Sequence, residues 1–258
     1  MNPIRITAVS YYNTLPFIYG LKHSGLLSGY ELSLDVPSEC ARKLITDEAD
    51  IGLIPIGALP GIPGYHLVSD LCIGADKDVK SVLLLSNAAL PHLKTIFLDT
   101  DSLTSVNLVK ILAEKFWKIS PEWKSLKEMK GKLSSDEGMV LIGDKTFGLC
   151  TQFPFCYDLA GEWIKFTGLP FVFAVWISRK LLPANFSASF QSALAWGVDH
   201  RENSTIMAIN PHITEQELVS YLKNDISYPL DAQKLKGMEL FLKYLHRKVS
   251  DSKIYSNK

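Results

Sequence analysis

Apolar runs that stop at small polar residues recur along this chain. Residues 4–9, 50–55, 95–98, 139–142 and 171–177 are each rich in Ile, Val, Leu or Phe, and each ends in or beside Ser, Gly, Asp or Pro. Runs of this length read as buried strands, and in open α/β sheets ligands sit beyond the carboxyl ends of strands. Residues 67–73 and 81–86 are two further runs. Between the strands the period changes to 3.6. A helix opened by Pro37 carries Ala41, Leu44 and Ile45 on one face, which makes a βαβ unit with the strands at 4–9 and 50–55. Val109, Leu112, Ala113 and Phe116 form the stripe of a second helix, and Phe186, Phe190, Ala193 and Leu194 that of a third. Thr214 and Glu217 make a capping box with Ile213 and Leu218 as its staple, and Met238, Phe241, Leu242 and Leu245 stripe a final helix.

Segments 80–86 and 172–179 bracket a middle block with its own strand–helix–strand pattern. Read as two crossing hinge strands, they predict an α/β, two-lobed chain. Residues 1–84 and 177–258 form lobe 1, residues 85–176 form lobe 2, and a cleft lies between them.

Composition narrows the partners. Lys plus Arg equals Asp plus Glu at 27 each among 258 residues, so no global field favours nucleic acid or an anionic membrane. No apolar run approaches the roughly 20 residues of a membrane span, and the first strand lacks the apolar core of a secretory signal. A cytoplasmic protein is expected, as a monomer or a homodimer. Cys40 and Cys72 fall in apolar contexts as core residues. Cys150 and Cys156 could pair or bind a metal, but no matching His or Cys cluster supports either. Nucleotide, zincin and hydrolase motifs are absent, so no cofactor and no metal is called for.

The strand ends carry the candidate chemistry. Asn13 offers a carbonyl and an amide, and Ser10 a hydroxyl, although a turn before a Pro16-initiated helix explains the same residues. Ser102, Thr104 and Ser105 put three hydroxyls at a helix start, where backbone N–H groups hold a carboxylate without a formal positive charge. Simple N-capping would need only one of them. Asp144 ends a strand as a general base, a hydroxyl acceptor or a cap. Ser81 opens a crossing strand, facing cleft or solvent.

The segments V-S-Y-Y-N-T-L-P-F (9–17), D-V-P-S-E (35–39), D-I-G-L-I-P (50–55), V-K-S-V-L-L-L-S (79–86), T-S (104–105), L-I-G-D (141–144) and D-L-A-G-E-W-I-K-F-T-G-L-P-F-V-F-A-V-W (158–176) resemble the chorismate dehydratase family. That resemblance implies a periplasmic-binding-protein-like (type II) fold and a cytoplasmic lyase. The family converts chorismate to 3-[(1-carboxyvinyl)oxy]benzoate without a cofactor and opens the futalosine route to menaquinone. It implies catalytic positions at Asn13 and Ser81, with Ser10, Ser102, Thr104, Ser105 and Asp144 around the substrate. The chain departs from the family at residues 56–59, where a more polar segment with an aromatic residue is expected. Two alternatives share the fold. One is a non-catalytic small-carboxylate binder. The other is the related 1,4-dihydroxy-6-naphthoate synthase, which would need a histidine near the cleft, and no strand-end segment here holds one.

Overall fold

The longest apolar runs become the centre of two mixed sheets. The structure, a computed structural model, describes residues 3–209 and 213–255, with side chains through residue 246. Strand β1 (Ile4–Val9) leads through helix α1 (Leu15–His23) to β2 (Tyr30–Asp35), and helix α2 (Pro37–Ile45) leads on to β3 (Ile51–Pro55) and β4 (His66–Ala75). The middle of the chain forms β5 (Val82–Ser86), β6 (Thr95–Leu98), helix α3 (Leu103–Leu112), β7 (Glu122–Ser125), β8 (Glu137–Ile142), β9 (Phe155–Asp158) and helix α4 (Leu159–Thr167). The rest supplies β10 (Phe171–Ser178), helices α5 (Ala184–Asp199) and α6 (Glu215–Ser220), β11 (Ser227–Pro229) and helix α7 (Ala232–Tyr255).

A six-stranded sheet has the order β11-β4-β10-β3-β1-β2, and a five-stranded sheet has the order β7-β6-β8-β5-β9. In the first, β1 runs parallel to β2 and β3 while β10 lies antiparallel between β3 and β4. In the second, β6 is parallel to β7 and β8, and β5 is antiparallel to β8 and β9. Fully buried strands such as β3 read as unbroken apolar runs because both faces are covered. Phe17, Trp176, Tyr228 and Phe190 anchor the first sheet with edge-on ring contacts of 5.2 to 5.7 Å. Each of these rings contributes roughly 1.5–3 kcal/mol by burial. The capping box at Thr214 forms as expected, with Thr214 Oγ1 accepting from the Glu217 N–H and Glu217 accepting from the Thr214 N–H.

Each of the two strands that flank the middle block joins a single sheet. β5 pairs only with β8 and β9, and β10 only with β3 and β4. The chain therefore passes between the sheets at 76–81 and again at 168–170. Both passages contain a backbone in the left-handed region, at Lys80 and Gly168, which ladder geometry would not tolerate. Cys150 and Cys156 are joined in a disulfide, with Cα atoms 5.4 Å apart. A 3-10 turn at Cys150–Gln152 doubles the chain back into β9 and brings the two thiols together.

Candidate active site

The carboxyl ends of β1, β3 and β8 converge with the start of α3 on a cavity between the two sheets. Its polar lining is Tyr11, Asn13, Thr14, Ser81, Ser102 and Ser105, with Leu53, Ile73, Ile142 and Phe173 among its apolar walls. Among the described residues no carboxylate, imidazole, thiol or ammonium group lines it. No group of three or more His, Cys, Asp or Glu side chains among those residues is gathered as a metal would require.

Each polar group is held from behind. Asn13 lies in a 3-10 turn (Tyr12–Thr14) that Pro16 cannot continue as strand. Its carbonyl accepts from the Tyr228 hydroxyl at 3.1 Å, and its Oδ1 accepts from the Thr14 hydroxyl at 3.1 Å. Ser81 precedes β5. Its carbonyl accepts the Gly143 N–H at 2.8 Å and its Oγ accepts the Tyr221 hydroxyl at 2.9 Å. Ser102 is the N-cap of α3, with Oγ accepting from the Ser105 N–H at 3.3 Å and from the Ser105 hydroxyl at 3.3 Å. The N–H groups and dipole of this helix start put a positive end beside a neutral pocket lining.

Tyr11 lines the same cavity. Its ring lies on Gly143, where an added Cβ would come within 2.9 Å of it and where φ is +73°. Glycine is needed there on both counts. Burial, and then the carboxylates of Asp99, Asp101 and Asp144, push the Tyr11 phenol well above its ordinary value. It stays protonated at neutral pH and serves as a donor, not a base. Asp99 at the end of β6 is buried and pairs with Lys145.

A family model described as menaquinone biosynthesis matches residues 4–247. The chain belongs to that family. A chorismate dehydratase of Thermus thermophilus is 31% identical over 201 residues, covering 71% of this chain and 72% of that protein. A chorismate dehydratase of Campylobacter jejuni is 30% identical over 171 residues, covering 64% of this chain and 63% of its own length. A crystal structure of an Archaeoglobus fulgidus protein superposes with a TM-score of 0.74 at 14% identity, covering 96% of this chain and 98% of that one. A Candida albicans protein described as having the generic periplasmic binding protein fold gives 0.66 at 12% identity, over 95% and 90%. At such identities the likeness is one of fold, and it is the two-lobed, type II fold expected.

Within this member of the menaquinone biosynthesis family, four of the seven expected site residues face one cavity: Asn13, Ser81, Ser102 and Ser105. The other three do not. Ser10 is exposed and uses its N–H on the Asp35 carbonyl of β2. Thr104 is buried between the lobes, where its Oγ1 accepts from the Gly57 N–H at 3.0 Å and donates to the Phe173 carbonyl at 3.3 Å. That carbonyl is available because the β10–β4 register skips Phe173. Asp144 Oδ1 accepts the Tyr12 N–H at 3.0 Å, which joins the β8 end to the β1 end across the cleft. Thr104 and Asp144 are thus inter-lobe ties. The divergent residues 56–59 lie in a 3-10 helix (Ile56–Gly61) against α3 and do not line the cavity, whose nearest wall there is Pro55. Tyr11 and Tyr221 are polar groups the sequence reading passed over. Tyr11 had the signal of an aromatic at a strand end, while Tyr221 had none.

Proposed function

We propose that the protein is a chorismate dehydratase, a lyase that converts chorismate to 3-[(1-carboxyvinyl)oxy]benzoate at the start of the futalosine route to menaquinone. The observation that carries this reading is a neutral cavity in a chain of this family, with an amide and a hydroxyl (Asn13, Ser81) on one side and a hydroxyl-bearing helix start (Ser102, Ser105) on the other. Chorismate brings two carboxylates, a ring hydroxyl and an acidic ring C–H. The helix start takes a carboxylate and presents the ring to Asn13 and Ser81. A base removes the proton from the ether-bearing ring carbon, and that C–H pair becomes the new ring double bond. The neighbouring C–O bond breaks, and hydroxide plus one proton leave as water. The ring becomes aromatic, so the chemistry needs orientation and charge stabilisation, not electron transfer.

The lining supports a substrate-borne base. Asp144 is engaged with the Tyr12 N–H and does not reach the cavity wall, and Tyr11 is held protonated. In this reading the substrate's own side-chain carboxylate takes the proton, and Asn13 and Ser81 donate to the departing hydroxyl. The cytoplasmic location expected from the sequence belongs to the same reading. There the Cys150–Cys156 pair would meet a reducing pool that disfavours disulfides.

The test is purified protein, treated with chelator and mixed with chorismate, followed by mass-resolved chromatography. A product lighter by one water that keeps its enolpyruvyl group is expected. Intact chorismate with a raised melting temperature would replace the enzyme with a small-carboxylate binder, and no effect at all would overturn both.

A further inference from the structure

We propose that Tyr221, which does not line the cavity, is a positioning residue for Ser81: its buried hydroxyl donates to Ser81 Oγ and so turns the Ser81 proton into the cavity. The inference rests on the chorismate dehydratase reading and names the group that makes Ser81 a directed donor.

Tyr221 is 2% exposed, and a phenol so buried needs a partner. That partner is Ser81 Oγ, 2.9 Å away and 140 residues earlier. Tyr221 opens a π-helical turn (Tyr221–Asp225) that follows α6, a wide turn of the kind found at functional sites. The other end of the turn is fastened as well, by an ion pair of 2.9 Å between Asp225 and Lys80, the residue before Ser81. Consecutive residues at one inter-lobe passage are therefore gripped by both ends of one turn. Phe147 meets the Tyr221 ring edge-on at 4.8 Å and fixes its rotation.

The hydrogen bonds run one way. The Thr14 hydroxyl donates to Asn13 Oδ1, and the Tyr221 hydroxyl donates to Ser81 Oγ. With its oxygen accepting from Tyr221, Ser81 turns its own proton to the cavity that it lines. Burial pushes the Tyr221 phenol far above its ordinary value, so it is a donor throughout the working pH range. A directed chain of this kind polarises each successive donor. It ends on the hydroxyl that the reaction must expel.

The experiment is a cycle of wild type, Tyr221→Phe, Ser81→Ala and the double variant, each assayed for chorismate dehydration and melted. Tyr221→Phe keeps the ring and its Phe147 contact. It is expected to lower kcat on the order of 10- to 100-fold, the usual loss on removing a supporting hydrogen-bond partner, with KM and Tm nearly unchanged. In the Ser81→Ala background the same change is expected to cost nothing more. Unchanged kcat, or the same fold-loss in both backgrounds, overturns the inference while leaving the dehydratase reading intact. Wild type that leaves chorismate untouched overturns both. Where Tyr221→Phe does not fold, or Ser81→Ala is too slow to follow, 3-fluorotyrosine at 221 decides. As the stronger donor it should raise kcat at constant KM, and an unchanged kcat overturns the proposal.

Discussion

Ser102 and Ser105 stand one turn apart at the start of α3, yet their hydroxyls do different work. Ser102 Oγ accepts the Ser105 N–H and is the helix cap, whereas the Ser105 hydroxyl only donates to Ser102. Ser102→Ala is expected to cost about 1 kcal/mol of stability through the lost cap, a fall in Tm of about 2–4 °C for a chain of this size. Ser105→Ala keeps the cap and should leave Tm within about 1 °C of wild type by the same relation. Ser102→Ala loses the donor to a substrate carboxylate and Ser105→Ala the bond that turns that donor outward, so both are expected to raise KM for chorismate roughly 10-fold or more, as loss of a charge-assisted hydrogen bond does. Melting curves beside steady-state kinetics separate the two, and equal Tm losses would remove Ser102 as the cap. Helical phase explains why Thr104 behaves otherwise: residues 102 and 105 share a face, and 104 is turned about 100° from 105. That much was legible in the sequence. The partners of Thr104 were not, because Gly57 and Phe173 lie 47 and 69 residues away.

At the scale of elements, the first turn of α3 is the latch of the cleft. A Cβ at Gly57 would come within 2.7 Å of the Thr104 nitrogen and 2.8 Å of its Cα, backbone atoms that cannot step aside. The contact joins the two lobes and not the core of either. Gly57→Ala is therefore expected to hold the lobes apart with little change in Tm, and to lower kcat/KM on the order of 100-fold through misplacement across the cleft. Small-angle scattering should show a larger radius of gyration for the variant; an unchanged radius with full activity would remove the latch. Strands buried on both faces, such as β3 and most of β10, were readable as apolar runs. The edge strands β2 and β7 were not, because half-exposed positions filled with Glu, Lys, Ser and Asp look like loop. The short strand β9 was hidden for a similar reason, with every residue only partly buried. Their pairing partners, not their composition, make them strands.

Over the whole molecule, the two lobes were visible in the return of a strand–helix–strand pattern in the middle of the chain. What hid the exact passages is that a hinge is defined by which ladder each neighbouring strand joins, a long-range fact. One carboxylate ties the passage at 76–81 to lobe 2. Asp158 Oδ1 caps α4 by accepting from the Ala160 and Gly161 N–H groups, and its Oδ2 accepts from the Val79 and Lys80 N–H groups at 2.9 and 2.7 Å. Burial raises its pKa to about 6, against the lowering effect of the Lys80, Gly161 and Val79 N–H groups, with the Asp78 carboxylate adding to the rise. Lys165 on α4 faces the same pair of carboxylates. Because the folded value lies above the unfolded one, the native state holds this proton more tightly. The resulting stability is present at pH 4 and lost as pH rises through 6. Relative to Asp158→Asn, which does not titrate, wild type should gain about 2 kcal/mol between pH 7 and pH 4 in denaturant unfolding. The opposite slope would mean that the four N–H groups outweigh burial and hold Asp158 ionised. In either case the hinge and the α4 cap titrate as one unit, because a single side chain supplies both.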